Sequence, residues 1–270
     1  MPPADEIRLF LKHLDNLAAA GYWFERALSA ELRRFLAAGP GAGAVVVDFG
    51  CGARPLARLF EGFAGRDLGL DVYPGRHVDV VYDGRRLPLA AESVDLVYAS
   101  SAFEHVEDLE TALAEIARVL RPGGRLVAVA PFTGHVHGAP FDFHRPTRFG
   151  WQTLMRRAFP EARVTLEPVD DRLTCALGLV TAQINFVLYD LLRRAARLFG
   201  YRSPAPALRH GGASPEGGGR PGLGAAYLLA RLNPVNFALG LIAWLLAWIG
   251  PRRRAEGEIT SGYLIRVDKA

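Results

Sequence analysis

The sequence predicts an α/β protein built on a doubly wound parallel sheet, and three observations support this fold class. Apolar runs typical of strands alternate with helical patterns between residues 44 and 131, as in a parallel sheet with helices on both faces. The run 44–49 is rich in valine and has no polar alternation, as expected for a strand buried on both faces. A turn containing two glycines follows this strand, at the edge where such sheets bind ligands.

Each element follows from a local pattern. Residues 6–38 have apolar positions mostly three to four apart and end at Gly39-Pro40-Gly41, which predicts an N-terminal helix. Residues 109–120 form the clearest helical pattern, closed by Arg-Pro-Gly-Gly at 121–124. Helical patterns also cover 177–199 and 232–250, and a Gly/Pro-rich stretch at 201–224 predicts a flexible loop. The predicted strands are 44–49, 67–72, 77–82, 93–100, 124–131, 163–168 and 262–267.

Composition excludes several classes of protein. Half of the 270 residues are hydrophobic and 22% are charged, which excludes a disordered chain. Two cysteines, Cys51 and Cys175, are too few for a disulfide framework or a four-cysteine zinc site. The N-terminal residues lack a basic flank before an apolar run, so we expect no secretory signal and a cytoplasmic location.

Positive charge is concentrated in one segment. Residues 172–257 contain eleven arginines and three acidic residues, a net +8, whereas the whole chain carries only +4 and the remainder therefore −4. This asymmetry favours an anionic partner surface for the segment. The chain has only two lysines, so genome composition explains the choice of arginine, but it does not explain the clustering.

The sequence Asp48-Phe49-Gly50-Cys51-Gly52 ends the first buried strand, and a helical pattern begins after it. This junction predicts a ligand site. Glycines at such a turn let a ligand approach the backbone and its amides. A dinucleotide fingerprint needs glycine where Pro55 stands, and a carboxylate at Asp48 opposes a pyrophosphate but suits a cation. The pattern thus disfavours an NAD-dependent oxidoreductase and favours a nucleoside that carries an amino acid.

Two further carboxylates follow the next predicted strands. Asp71 lies near the offset of about 20 residues at which an acid binds ribose hydroxyls, and Asp83 could accept a hydrogen bond from an adenine amino group. Asp71 and Asp83 are also ordinary turn formers or helix caps, an alternative that the sequence leaves open.

The motifs VVVDFGCG, GLD, DGRRLPL, SVDLVYASSAFEHVED and EIARVLRPGGRLVAVAP resemble, in this order over about 45–159, the class I S-adenosylmethionine-dependent methyltransferases, particularly the small-molecule type 11 group. The resemblance implies a Rossmann-like, seven-stranded sheet with an antiparallel final hairpin, here 163–168 and 262–267. It implies a methyltransferase domain at 1–171 and 258–270, with a helical part at 1–40 and a basic, apolar insertion at 172–257. The cofactor S-adenosylmethionine would contact Asp48, Gly50, Cys51, Gly52, Asp71, Asp83, Gly84 and Ser100.

Two departures from the family pattern stand out. Arg54 occupies the position of the third motif glycine in many members, and about 90 residues separate the two strands of the final hairpin, where the family has a short turn.

Methyl transfer needs chiefly in-line positioning and exclusion of water, with a base only if the acceptor loses a proton.

The segment after the fifth predicted strand supplies candidate acceptor residues. The family pattern His-x-x-Pro-x-Asp-x-x-Arg, which caps the pocket, is matched by His137, Pro140, Asp142 and Arg145. The segment is a structural lid, a source of substrate contacts and a base, or a metal site; loose spacing and an expected Asp142–Arg145 ion pair lead us to expect no metal. The candidate catalytic residues are His137 and His144, and the candidate substrate contacts are His105, Phe132, Asp142 and Arg145.

The insertion is predicted to meet the membrane. Tryptophans and clustered arginines border its apolar helices, which is typical of an interfacial helix or shallow hairpin on anionic lipid, here through 173–254. A soluble cap over the pocket or a dimer surface is the alternative; nucleic acid is not expected. We therefore expect methyl transfer to a small-molecule or lipid-linked acceptor, in the cytoplasm at the inner face of the membrane. The alternative function is a catalytically idle cofactor-binding or membrane scaffold protein.

Overall fold

The computed structural model describes residues 9, 12–13, 19–198, 234–249 and 259–270. The chain divides into two compact units. The described residues of the sheet unit are 27–169 and 260–270, and those of the helical unit are 9, 12–13, 19–26, 170–198, 234–249 and 259. The predicted flexible loop 201–224 and the arginines at 252–254 lie outside the described residues.

The sheet unit contains a seven-stranded sheet in the order β3-β2-β1-β4-β5-β7-β6. The neighbouring strands from β3 to β5 pair in parallel, while β7 is antiparallel to both β5 and β6. This topology confirms the predicted fold class, including the antiparallel final hairpin. The strands are β1 Val45–Phe49, β2 Arg66–Asp71, β3 Val80–Val81, β4 Val94–Ser100, β5 Leu120–Pro131, β6 Arg163–Pro168 and β7 Gly262–Asp268.

Two helices of this unit carry sequence signals that match their structure. Helix α2, Leu109–Val119, begins after Asp108, whose side chain accepts a hydrogen bond from the Thr111 amide. Its buried residues recur three to four positions apart, so one apolar stripe packs against the sheet. Helix α3, Arg148–Ala158, is capped in the same way by Thr147 and buries Trp151.

Several predicted elements differ from the structure. Strand β5 begins at Leu120 instead of 124, so the Arg-Pro-Gly-Gly sequence at 121–124 lies within the strand, and the helix predicted from 177 begins at Arg172. Of the predicted helix 6–38, residues 6–8, 10–11 and 14–18 lie outside the described residues; helix α1 spans Ala20–Ala37, Leu9 and Lys12 are also helical, and residues 13, 19 and 38 are not. Strand β3 has two residues instead of six. The glycine turn leads into a 3₁₀ helix at Ala57–Phe60 and not into an α-helix, because Pro55 and the left-handed Gly62 leave too short a segment for α-helical turns.

The helical unit contains two apolar helices that pack against each other. Helix α4 spans Arg172–Leu198 and begins after Asp171, which accepts hydrogen bonds from the amides of Leu173 and Thr174. Helix α5 spans Pro234–Ile249. The side-chain amide of Asn236, which is fully buried, donates a hydrogen bond to Asn185 on α4.

Candidate functional site

Gly50 is the residue on which the turn after β1 depends. Its φ of +67° lies in the left-handed region, and a Cβ atom there would lie 2.6 Å from the Cβ of Ala102. Both observations require glycine, because a side chain would be strained and would also collide with the loop after β4. Gly52 also has a positive φ, +49°, but a Cβ there would meet nothing within 4 Å. The turn is thus packed at Gly50 and open at Gly52.

The predicted carboxylates lie at the carboxyl ends of adjacent strands. Asp48 is in the last part of β1 and only 3% exposed, Asp71 ends β2, and Asp83 follows β3. The amide of Gly52 donates to Asp71 Oδ2 over 3.0 Å, which joins the first two loops. Burial, and then the negative charges of Asp71 and Asp83, raise the pKa of Tyr82. Both carboxylates therefore act on the same phenol.

The amides of the turn are used within the protein. The amides of Gly50 and Cys51 both donate to the carbonyl oxygen of Leu70, over 2.8 and 3.0 Å, and the amide of Gly52 donates to Asp71. The expectation that this turn presents amides to a ligand is therefore wrong at these three residues. The groups at the strand ends are chiefly hydrogen-bond acceptors, which suits a ligand that carries positive charge and donors.

Asp71 and Asp83 also have the geometry of turn formers. Asp71 Oδ1 accepts from the Tyr73 amide, and Asp83 Oδ1 accepts from the amides of Arg85 and Arg86. These backbone hydrogen bonds lower the pKa of Asp83. The local turn role and a ligand role are compatible, because each carboxylate oxygen has two lone pairs.

Arg54 is held among three carboxylates. Its guanidinium lies 2.5 Å from Asp67, 3.0 Å from Asp79 and 3.9 Å from Asp48, and the side chain is 11% exposed. Its Cδ would lie 2.8 Å from a Cβ at Gly69, so the side chain crosses the middle of β2. Arg54 therefore occupies the face of the sheet beside β1 and β2 and supplies the counter-charge for buried acids.

Burial controls protonation around Asp48. It raises the pKa of Asp48 to about 7, against the opposing charge of Arg54. Burial, reinforced by the charge of Asp48, also raises the pKa of Cys51 to about 12, so the thiol stays neutral. A cation bound near Asp48 would favour the ionised carboxylate.

A second group of side chains surrounds Glu104, and we call Glu104, His105, His137, Asp142 and Arg145 the Glu104 cluster. The first two lie on the 3₁₀ helix Phe103–His105 after β4, and the others lie after β5. Arg145 donates to both oxygens of Asp142, over 2.5 and 2.7 Å, as the predicted ion pair requires. The His137 amide donates to Asp142 Oδ2 over 2.9 Å, so the pair fixes the loop.

Two pKa shifts follow from these contacts. The carboxylate of Glu104, 3.6 Å from Nε2 of His137, together with the charge of Asp142, raises the pKa of His137 against the effect of burial. The pKa of Asp142 is lowered: burial would raise it, but the His137 amide and Arg145 outweigh that effect.

Part of the sheet unit matches a known family. A family model described as a methyltransferase domain matches residues 47–128. This stretch contains the glycine turn, Asp71, Asp83 and β4, and the observed sheet has the seven strands and the antiparallel hairpin that the sequence resemblance implies. Residues 47–128 therefore match a methyltransferase domain, and the sheet around them has the topology expected of the class I S-adenosylmethionine-dependent type.

Individual relatives match this domain over short stretches. A malonyl-(acyl-carrier protein) O-methyltransferase from Methylococcus capsulatus is 57% identical over 47 residues, 17% of this chain and 17% of that protein. A demethylmenaquinone methyltransferase from Streptomyces griseus is 36% identical over 86 residues, 30% of this chain and 32% of that protein. A solved SAM-dependent methyltransferase from Aquifex aeolicus is similar with a TM-score of 0.41 and 20% identity, over 53% of this chain and 86% of that one. The chain thus spans a third or less of these two curated relatives.

The remaining predicted site residues of the methyltransferase domain lie at the same sheet edge. Ser100 ends β4, one residue beyond the Phe49–Ala99 pair of β1 and β4. Phe132 follows β5 and packs against Tyr263, with ring centroids 5.6 Å apart. His144 Nε2 lies 3.2 Å from the carbonyl oxygen of Glu107, which ties its ring to the loop before α2.

Sequence reasoning missed two residues of the methyltransferase domain. Arg54 was noted only as a departure from the glycine pattern, although its positive charge two residues after Gly52 was a signal. The sequence analysis does not include Glu104 among the candidate site residues. In the structure this residue is 1% exposed and lies between two histidines. Its only sequence signal is an acid beside His105, which is too common a pattern to interpret.

Proposed function

We propose that the chain transfers a methyl group from S-adenosylmethionine to a small-molecule or lipid-linked acceptor. The observation that carries this proposal is the set of acceptor groups, Asp48, Asp71 and Asp83, at the carboxyl ends of three adjacent strands around an open glycine turn. These groups fit a cationic amino-acid nucleoside and oppose a pyrophosphate.

Each strand end has its own task in this proposal. Asp48 holds the amino end of the cofactor, Asp71 the ribose hydroxyls and Asp83 the adenine amino group, while Gly52 leaves room for the ligand. The bound cofactor supplies an activated methyl group on a sulfonium. Gly84 and Ser100 border the same edge. The thiol of Cys51 is buried and faces the His77 carbonyl oxygen, and its amide is bonded to Leu70, so Cys51 would contact the cofactor only through its other backbone atoms.

The acceptor meets the Glu104 cluster. The loops after β1 and β4 touch at Gly50 and Ala102, two residues before Glu104, so the cluster lies beside the cofactor turn. His137 is the favoured proton acceptor if the acceptor must lose a proton, since the ring of His144 is tied to Glu107. His105, Phe132, Asp142 and Arg145 stay predicted acceptor contacts.

The helical unit, and not the similarity to relatives, indicates which class of acceptor the protein uses. The two curated relatives are named for different acceptors, malonyl-(acyl-carrier protein) and demethylmenaquinone. Similarity alone therefore selects neither one. A lipid-linked acceptor is favoured if the helical unit binds lipid.

Asp48→Asn is expected to weaken binding of S-adenosylmethionine by about 10- to 150-fold, the loss of a hydrogen bond to a charged group. In the absence of the cofactor, the same substitution is expected to stabilise the protein. Because the pKa of Asp48 is raised to about 7, the folded wild type binds a proton that the unfolded chain releases above its ordinary pKa. Wild-type stability should therefore fall as pH rises toward 7. The increase in Tm of Asp48→Asn over wild type should accordingly be larger at pH 8 than at pH 5.

Calorimetric titration and thermal unfolding at pH 5 and pH 8 test both effects. Asp95→Asn is the matched control: Asp95 is also buried, but it lies at the opposite end of β4, where it accepts from the Val45 amide. This control should keep cofactor affinity. Absence of heat and of a thermal shift in the wild type would refute the proposed function. Binding without transfer of labelled methyl to any fraction of a cell extract would support the idle scaffold instead.

The helical unit supports contact with anionic membrane. Among the described residues one stretch, Arg172–Leu192, is long and apolar enough to cross a membrane by length and composition, and only 11% of its apolar window is buried. A core helix of a soluble protein would be mostly buried. On α4, Leu173, Val180, Val187 and Leu191 are about half exposed and lie on one stripe, at spacings of seven, seven and four.

Positive charge at the end of this apolar stripe supports the proposal that it lies on an anionic lipid surface. The stripe ends just before the sequence Arg193-Arg194, and helix α5 has no charged residue. Arginines that border an apolar helix are typical of an interfacial segment on anionic lipid. The protein would then act at the inner face of the membrane, with its acceptor in the lipid.

Val180→Asp combined with Val187→Asp should release the protein from vesicles that contain anionic lipid, because two charges would enter the apolar interface. Co-sedimentation with such vesicles is the measurement. Val81→Asp on β3 is the control, since that valine is 51% exposed, close to Val180 at 49% and Val187 at 57%. Unchanged sedimentation of the double variant, or no binding by wild type, would favour the soluble cap.

A further inference from the structure

Glu104, His105 and His137 each offer one ligand atom, and these three atoms lie within 4.8 Å of one another. The three residues come from two loops that the parallel pairing of β4 and β5 brings to the same edge. The expectation of no metal rested on spacing within the loop after β5 and did not include Glu104. The tertiary structure adds this carboxylate to the histidines.

The carboxylate of Glu104 lacks the partners that a buried charge requires. The residue is 1% exposed, and neither oxygen has a hydrogen-bond partner among the described residues. Nε2 of His137 and Nε2 of His105 lie 3.6 and 3.8 Å from the same oxygen, which is longer than a hydrogen bond. A buried ionised carboxylate in this state is costly unless a cation compensates it.

These separations match ligands that share one metal ion. Zinc binds histidine nitrogen and carboxylate oxygen at about 2.0–2.2 Å, so ligand atoms at tetrahedral angles lie about 3.4 Å apart. The observed nitrogen–oxygen distances of 3.6 and 3.8 Å need only a small contraction to reach that value. Two histidines and one glutamate also form a known ligand set for a zinc site that keeps a fourth position open.

The surroundings of His105 orient it as a ligand. Its Nδ1 lies 2.5 Å from the carbonyl oxygen of Phe141, which can only accept, so Nδ1 carries the hydrogen and Nε2 presents its lone pair toward Glu104. This second hydrogen bond is typical of histidines that bind metals. A Cβ at Gly138 would lie 3.0 Å from the His105 ring, so the loop also fixes the ring in place.

His137 completes the set and leaves the site accessible. Its amide is bonded to Asp142, and the charge of the adjacent Arg145 is paired by the same carboxylate. Nδ1 of His137 lies 3.2 Å from Arg145, which can only donate to it, and 3.5 Å from Asp142. Metal binding through Nε2 therefore requires the ring hydrogen to move to Nδ1 and face Asp142, in place of the contact with Arg145. The side chain is 40% exposed, which gives an ion a route from solvent.

We propose that Glu104, His105 and His137 bind one divalent transition-metal ion of the zinc class. The fourth position is then free for water or for an oxygen atom of another ligand. In this state Nε2 of His137 is a ligand and does not accept a proton. The assignment does not depend on methyl transfer and stands or falls by metal binding.

Titration of the chelator-treated, full-length protein with Zn²⁺, followed by calorimetry, and with Co²⁺, followed by visible absorption, tests the proposal. We expect one ion per chain, a four-coordinate Co²⁺ spectrum and a higher Tm with metal. Glu104→Gln and His105→Ala should each weaken binding by more than about 100-fold. His144→Ala is the control, since this histidine of the same loop is tied to Glu107 and lies outside the ligand set.

Glu104→Gln also separates metal binding from a purely structural role. The metal site predicts that the metal-free variant is at least as stable as wild type, because an uncompensated carboxylate is removed, and that it keeps its affinity for S-adenosylhomocysteine. A structural ion pair with the histidines predicts a lower Tm. Equal metal affinity in wild type and Glu104→Gln, or no binding by wild type, overturns the proposal.

Discussion

Gly50→Ala is expected to lower the free energy of unfolding by about 3 kcal/mol. A non-glycine residue in the left-handed region costs about 1–2 kcal/mol, and Gly50 has φ +67°. The new methyl would also lie 2.6 Å from Ala102 Cβ, and overpacking in a buried site costs about 1–3 kcal/mol. Chemical denaturation of wild type and variant measures the difference.

Two further variants separate the backbone contribution from the steric one. Gly52→Ala, at φ +49° with no atom within 4 Å of the new Cβ, should cost only the backbone part, about 1 kcal/mol. Ala102→Gly in the Gly50→Ala background removes the colliding methyl and should restore part of the loss. Equal costs at residues 50 and 52, or no recovery in the double variant, would contradict the packing account.

The Gly50–Ala102 contact has a functional consequence. It joins the loop after β1, which carries the proposed cofactor residues, to the loop after β4, which carries Glu104 and His105 two and three residues later. A displacement at Gly50 therefore moves both halves of the site. For this reason Gly50→Ala should impair cofactor binding even under conditions in which the protein stays folded.

Local sequence patterns are sufficient to predict an element whose structure depends mainly on its own residues. The strand 163–168 and the helix beginning at residue 109 are predicted within a residue or two, because the apolar pattern of each segment marks it directly. The antiparallel hairpin came from the family resemblance instead. No local signal could pair β6 with β7 across the long intervening insertion.

Tertiary contacts explain what the sequence did not predict. β3 is reduced to Val80 and Val81 because only two residues pair with the end of β2. Gly69 is required because a Cβ there would lie 2.6 Å from the carbonyl oxygen of His77 and 2.8 Å from the Arg54 side chain, both distant in the sequence. Likewise, the carboxylate of Glu104 meets a histidine 33 residues later in the chain, which no spacing rule within one loop includes.

Arg54→Ala is expected to cost about 3 kcal/mol at pH 8, close to the cost of removing one partner from a buried ion pair. The substitution leaves Asp48 and Asp67 without their counter-charge in a setting where both side chains are less than 15% exposed. Burial already raises the pKa of both carboxyls. Their ionised forms are therefore the ones that depend on the guanidinium.

The pH dependence of this loss follows from those pKa values. At lower pH Asp48 and Asp67 take up protons in the folded variant, so less charge is left uncompensated and the cost should be smaller at pH 5 than at pH 8. Arg54→Lys should give an intermediate loss, because one ammonium group cannot bond several carboxylates as the planar guanidinium does. Denaturant unfolding at both pH values measures these differences.

Arg157→Ala is the matched control, because Arg157 pairs with Glu110 at 2.7 Å but both side chains are more than 60% exposed. An exposed pair of this kind contributes at most about 1 kcal/mol. If Arg54→Ala cost no more than this control, the guanidinium would not be compensating buried acids. At 3.9 Å from Asp48, Arg54 is too distant to hydrogen-bond that carboxylate, so the guanidinium does not occupy its lone pairs. This is how the departure from the glycine pattern is compatible with the proposed cofactor site.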